Sequence, residues 1–158
     1  YHDNNVVNIL LLGTDERTDE FNKNARADAI MVMSLNTKEH TIKLISIERG
    51  IGVPVPGRND DWITHTFRYG GAALTMQTVR NCFKLDVERY VRVNFNVVSK
   101  AIDKIGGVDI ELTQAEAEHL NNAKKNYYES GSDIQTVHAG TNHLNGDTAM
   151  AYAVFVNR

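Results

Sequence analysis

Cysteine, proline and tryptophan are scarce in this chain: one, two and one among 158 residues. The lone thiol, Cys82, excludes an internal disulfide framework, and no Cys or His pair has the spacing of a structural zinc site. Its flanks, Arg80-Asn81 and Phe83, read as a helix position that buries the thiol rather than exposing a nucleophile. Long apolar runs are also missing. The longest, Val6 to Leu12, is interrupted by Asn8 and falls far short of the roughly 20 residues a membrane-spanning helix needs. Positive charge is not in excess: 17 Lys plus Arg against 20 Asp plus Glu leave a formal net charge of -3, so no nucleic acid partner is expected. Neither a Gly-x-x-x-x-Gly-Lys loop nor a Gly-x-Gly-x-x-Gly turn occurs, which removes the two common nucleotide cradles.

What is present suits one globular domain over residues 1–158, with 42% hydrophobic residues. The chain starts at Tyr1 and stops at Arg158, directly after the apolar run Ala149 to Val156. It therefore reads as a piece of a longer protein, with a membrane anchor and some C-terminal residues outside it. Val6 to Leu12 reads as a buried strand that delivers Asp15 into a polar loop ending at Arg26. Ala29 to Leu35 and Thr41 to Ile47 read as a hairpin at the sheet's centre. Gly50 to Gly71 reads as a long loop carrying Arg58, Asp60, Asp61, Trp62 and His65. Helical spacing follows from Ala72 to Lys84.

Tyr90 to Phe95 alternates like a strand, Asn96 caps a helix stopped by Gly106-Gly107, and Val108 to Leu112 alternates again. Thr113-Gln114-Ala115-Glu116 is a capping box opening a short helix. Asn121 to Ser132 reads as a mobile surface excursion. The closing helix, Thr148 to Val156, is expected to bury Ala149, Met150, Ala153 and Val154. Interleaved strands and helices predict an α/β fold with a mixed central β-sheet covered by helices on both faces.

Five segments together resemble the LytR-CpsA-Psr family. They are Leu12-Gly13-Thr14-Asp15-Glu16-Arg17 with Arg26-Ala27-Asp28; Leu44-Ile45-Ser46-Ile47-Glu48-Arg49; Ile63-Thr64-His65-Thr66-Phe67-Arg68-Tyr69-Gly70-Gly71; Ile105-Gly106-Gly107-Val108-Asp109-Ile110; and His143-Leu144-Asn145-Gly146-Asp147 running on to Ala153. The resemblance implies an apolar tunnel for a polyprenyl chain and a charged mouth for its diphosphate. It implies Mg2+-assisted transfer of a cell-wall glycopolymer, such as teichoic acid or capsule, from a polyprenyl diphosphate carrier to a peptidoglycan hydroxyl. The place implied is the extracellular face of the cell membrane, with the full-length protein anchored there.

Such chemistry accumulates negative charge and needs a cation with rigid cationic donors. Asp15 and Asp28 match the family's metal aspartates, and magnesium takes few protein ligands. The plainer readings are a turn-capping Asp15 and an Asp28 that only pairs with Arg26. Arg26 and Arg49 are the diphosphate ligands of choice, because guanidinium forks bind phosphate oxygens bidentately. Arg49 and Asp28 would carry catalysis; a plain salt bridge to Glu48 or a neighbouring acid is the alternative for Arg49. Arg17 and Arg68 are further diphosphate candidates. His65 is expected to bond the loop backbone, while His138 and His143 read as surface residues. Trp62 and Tyr69 either stack on a sugar or pin their loop.

The chain departs from the family's pattern at Glu48, Gly50, Trp62, Val154 and Val156, where proline, aspartate, lysine and two arginines are expected. Two readings follow: a magnesium-dependent phosphotransferase, or a module that binds lipid-linked glycan without turning it over.

Overall fold

The computed structural model describes residues 3–15, 25–127 and 132–155, with side chains omitted at 124–127 and 155. The fold resolves into two compact units, Tyr1–Asn94 and Phe95–Arg158.

The first unit is built on a four-stranded sheet of β1 (Val6–Thr14), β2 (Ala27–Asn36), β3 (Thr41–Ile47) and β6 (Val87–Val93), in the order β3-β2-β1-β6. β1 runs antiparallel to β2 and parallel to β6, so the sheet is mixed as expected. The inner strands are β1 and β2. β3 lies at an edge rather than at the centre, and all of it but Ile47 is exposed. Period-2 alternation sends Leu10, Leu12, Ile30 and Val32 to one face, where they meet Ile63, Phe67 and Val79 of α1 (Ile63–Phe83) in the core. The other face carries Ile9, Leu11, Met31, Met33, Leu44 and Val91, all half-buried or exposed.

Two short strands, β4 (Gly52–Val53) and β5 (Asp61–Trp62), pair within the stretch read as a long loop. That stretch also ends earlier than expected, because α1 starts at Ile63. Ile63 and Phe67, spaced i, i+4, bury against the sheet and supply the helical signal that the nearby glycines obscure. Gly70 and Gly71 do break the helix locally. Gly71 sits at φ 61, which favours glycine, and a kink separates Ile63–Tyr69 from Ala72–Phe83. The hydroxyl of Thr66 donates to that of Thr75 at 2.9 Å, joining the two segments across the kink inside the core. Cys82 is half-buried near the end of α1, against the same core. β6 starts and ends earlier than its alternation suggested, and Phe95 belongs to the next helix.

The second unit contains α2 (Phe95–Lys104), β7 (Val108–Leu112), α3 (Gln114–Tyr127), β8 (Gly140–Leu144) and α4 (Gly146–Phe155). Because α2 begins at Phe95, Asn96 lies inside its first turn and is not the cap. The capping box is present: Thr113 donates its N–H to Glu116 Oε2 at 2.7 Å, and the Glu116 N–H returns to Thr113 Oγ1. These bonds hold the Glu116 carboxyl below its ordinary range. α3 is longer than expected and absorbs Asn121 to Tyr127, while 128–131 lie outside the described residues. Ala117, Leu120 and Ala123 repeat every three positions and are buried, which carries the helix onward. Asn121 exchanges two side-chain bonds with the Val137 backbone. α4 buries Thr148, Ala149 and Ala151, whereas Ala153 is exposed.

β7 pairs antiparallel with β8. His143 on β8 contacts Asp109 Oδ1 through Nδ1 and the Gly106 carbonyl through Nε2, each at 2.6 Å. Both partners only accept, so both ring nitrogens carry protons and the imidazolium is favoured. The His143 pKa is accordingly raised above 6.5, first by Asp109 and then by the Gly106 carbonyl. Its stabilising effect on this hairpin is therefore complete below pH 6.5 and is lost as pH rises through the raised value. An NMR titration of the wild type should find this ring titrating above 6.5. The thermal midpoint of wild type relative to His143→Gln should fall across the same interval; a pH-independent difference contradicts the assignment.

Candidate active site

One rim of the sheet in the first unit collects the end of β1, the start of β2, the residues after β3 and the start of α1. The pairing of β1 with β2 shifts there: Gly13 faces Ala29, but Thr14 faces Ala27, so Asp28 is the extra residue of a β-bulge. Bulges re-aim side chains. Ala27 remains buried, while Asp28 turns outward and meets Arg49, whose Nη1 donates to Asp28 Oδ1 at 2.8 Å. Arg49 thus makes the salt bridge to a neighbouring acid that is its plainer reading, and that acid is the other catalytic candidate, Asp28, rather than Glu48. The pair is open to solvent, with side-chain exposures of 64% and 38%. An exposed ion pair of this kind contributes only about 0–1 kcal/mol to stability.

Asp15 and Arg26 close the loop between β1 and β2. The Arg26 N–H donates to Asp15 Oδ1 at 3.0 Å, and the Asp15 N–H to the Arg26 carbonyl at 3.3 Å. Asp15 therefore does the backbone capping its position after Gly13-Thr14 suggests. Arg26 and Asp28 flank buried Ala27 and are both exposed. Thr64, which sequence reasoning did not single out, ties the rim together. Its hydroxyl donates to the Ala27 carbonyl at 2.9 Å and its N–H to the Arg49 carbonyl at 3.2 Å. Arg68 lies exposed on the first segment of α1, and Arg17 lies outside the described residues.

The donor set of Asp15 and Asp28 is one a magnesium ion accepts, being hard carboxylate oxygens few in number. Each carboxylate is engaged through Oδ1, and among the described residues no hydrogen bond to the second oxygen of either is found. No group of three or more His, Cys, Asp and Glu suited to a metal is found among the described residues. A magnesium ion would depend on phosphate oxygens and water to complete its shell.

Beside this rim, Asp61 organises a second cluster. Tyr69 donates its hydroxyl to Asp61 Oδ2 at 2.6 Å, the Trp62 N–H donates to Oδ1 at 2.7 Å, and His65 Nδ1 lies 3.0 Å from Oδ1. The Tyr69 hydroxyl, the Trp62 N–H and His65 together hold the carboxyl at about 2. The same bond pushes the Tyr69 phenol up. The ionised carboxylate only accepts, so His65 donates from Nδ1. His65 therefore bonds a side chain, contrary to the backbone bond expected for it. Asp61, His65 and Tyr69 follow i, i+4, i+8 spacing, a signal readable once the helix start is known. Trp62 and Tyr69 are exposed by 57% and 37%, and the Arg58 guanidinium sits 4.3 Å from the Tyr69 ring centre. His138 is exposed and bonds the Ala139 carbonyl.

A mixed sheet with carboxylate and guanidinium groups gathered at one rim defines an α/β domain suited to a phosphate-bearing ligand. The chain belongs to the LytR-CpsA-Psr family: the LytR_cpsA_psr family model matches residues 1–156. It is 36% identical over 121 residues to TagU of Oceanobacillus iheyensis, named a polyisoprenyl-teichoic acid–peptidoglycan teichoic acid transferase, covering 73% of this chain and 37% of that protein. It is 33% identical over 146 residues to TagT of Bacillus subtilis, a transferase of the same name, covering 91% and 44%. Among solved structures, TagT with bound octaprenyl pyrophosphate lipid superposes with a TM-score of 0.76 at 28% identity, covering 96% of this chain and 57% of that one. TagT bound to LI-WTA gives 0.77 at 30%, covering 96% and 55%. The chain thus spans less than half the length of these curated relatives.

Proposed function

We propose that the protein transfers a cell-wall glycopolymer from a polyprenyl diphosphate carrier to a peptidoglycan hydroxyl. The observation that carries this reading is the bulge-presented Asp28–Arg49 pair at the rim where Asp15 and Arg26 also lie. Arg49 and Arg26 grip the diphosphate, and Arg17 and Arg68 are further cations for it. The acceptor oxygen forms a bond to the glycan-side phosphorus. The bond from that phosphorus to the bridging oxygen breaks, and polyprenyl phosphate leaves with the electron pair. Asp28 takes the hydroxyl proton. A magnesium ion held by Asp15 and Asp28 would add positive charge where the phosphates gather it.

For the isoprenoid tail, the sheet face of Ile9, Leu11, Met31, Met33, Leu44 and Val91 is apolar and would supply one wall of the tunnel that the resemblance implies. The pocket beside Val6 and Val7, at the other end of β1, also carries Asp3, Asp86, Glu88 and Arg89, charged groups unsuited to a hydrocarbon. The place of action proposed is the extracellular face of the cell membrane; no described helix is long and apolar enough to cross it. Relatives named as transferases, and an intact Asp28–Arg49 pair, favour turnover over binding alone. Mass spectrometry of lipid extracted from the bacterially expressed protein should find an isoprenoid phosphate. A chain that carries none, and takes up none from added polyprenyl phosphate, contradicts the reading.

A further inference from the structure

The Asp61 cluster does more than pin its loop. We propose that Trp62, beside His65 and near Tyr69 with its covering Arg58, is a pyranose-binding subsite that stacks one sugar ring of the glycan being transferred or of its acceptor. The inference rests on the transferase reading for the presence of a sugar and goes beyond it by assigning the residues that hold one.

Three observations carry it. First, the indole is 57% exposed although it sits on a short strand directly ahead of a helix with a buried face, so more than half of its surface is presented to solvent. Tryptophan, with a broad apolar ring and a polar N–H, is enriched where proteins bind ligands and partners. Second, the backbone and the neighbouring ring are pinned. Asp61 accepts from the main-chain N–H of Trp62, from His65 Nδ1 and from the Tyr69 hydroxyl at once, and the His65 ring so fixed lies 5.6 Å from the Trp62 ring at 31°. Fixed neighbours leave less to be ordered on binding. Third, polar groups lie nearby: Arg58 brings guanidinium donors over Tyr69, and His65, engaged with Asp61 through Nδ1, has a second ring nitrogen. A flat apolar face with polar groups beside it matches a sugar ring, which shows C–H bonds on one face and hydroxyls around its perimeter. A hydrocarbon chain would leave those polar groups unused.

The neighbouring rim gives the cluster its place in the reaction. Thr64, between Trp62 and His65 in the chain, bonds the backbone at Ala27 and Arg49, so the shelf adjoins the diphosphate residues. A lysine at position 62, the residue type expected from the family pattern, would add a phosphate ligand. Tryptophan there exchanges that cation for a stacking surface.

Trp62 is the chain's only tryptophan, so its fluorescence reports on this site alone. The wild-type protein is titrated with soluble N-acetylglucosaminyl-N-acetylmuramyl peptidoglycan fragments and, separately, with a polyprenyl diphosphate carrying one N-acetylhexosamine. A saturable emission change with the fragment assigns the shelf to the acceptor. A change with the lipid-linked sugar, absent with the same polyprenyl diphosphate lacking the sugar, assigns it to the donor. By calorimetry, Trp62→Ala should weaken the responding ligand tenfold or more, and Trp62→Phe should restore most of it. No sugar-dependent change with either probe overturns the proposal. If an isoprenoid phosphate is nevertheless extracted from the protein, the transferase reading stands and only the subsite falls.

Discussion

Replacing Arg49 with alanine is expected to lower turnover of a polyprenyl diphosphate-linked glycan by about a hundredfold or more while leaving the melting temperature nearly unchanged. Both halves follow from geometry. Removing one preorganised donor aimed at developing oxyanion charge typically costs about 3 kcal/mol of barrier. The same side chain contributes little to the fold, because its ion pair with Asp28 is exposed on both sides. Arg49→Lys should recover only part of the rate, since an ammonium cannot reproduce a bidentate fork. Release of polyprenyl phosphate, followed alongside thermal unfolding, separates the two effects. A melting temperature that falls as steeply as the rate would make Arg49 a structural residue.

Gly146→Ala should produce the largest loss of stability. α2 and α4 approach so closely that a Cβ on Gly146 would overlap the Ser99 carbonyl and come within 2.7 Å of its Cα. These are backbone atoms, which a rotamer change cannot relieve. The contact is further fixed by Ser99 Oγ donating to Asp147 Oδ1 at 2.6 Å and by the Gly146 N–H donating to Asp103 Oδ1 at 2.7 Å. Overpacking of this kind costs roughly 1–3 kcal/mol, occasionally more, and alanine's better helix propensity of about 1 kcal/mol offsets only part of it. Differential scanning calorimetry should show a drop of several degrees; an unchanged or raised midpoint contradicts the close approach. Asn-Gly-Asp is thus a packing device as much as a family landmark.

How much of this was legible in the sequence depends on how local the signal is. β1, β2, β3 and β7 are short apolar or alternating runs between turn residues, and their pattern survives folding. The capping box at Thr113 and Glu116 is equally local. The first segment of α1 was hidden because only Ile63 and Phe67 carry its apolar face and glycines bracket the region on both sides. α3 was cut short because its buried residues, Ala117, Leu120 and Ala123, are mostly small. Edge position for β3 is a matter of pairing, which a hydrophobic run cannot reveal.

The site divides the same way. Asp15, Arg26, Asp28 and Arg49 were nominated by motif resemblance, and their meeting at one rim depends on strand order. The bulge that turns Asp28 outward arises from a register shift against β1, so nothing within Arg26-Ala27-Asp28-Ala29 announces it. His65 was misassigned for a related reason: its partner Asp61 lies four residues away, a distance that brings side chains together only if the intervening residues turn as a helix does. The exposed hydroxyl-to-carboxylate bond of Tyr69 completes that network and could be foreseen only with it.

The most direct test compares the affinity of the wild-type chain for octaprenyl diphosphate with its affinity for octaprenol, in detergent and with magnesium present. If the guanidinium and carboxylate groups at the sheet's rim hold the diphosphate, the charged lipid binds at least tenfold more tightly, and Arg49→Ala removes most of that difference. Equal affinities for the two lipids in the wild type would contradict the account.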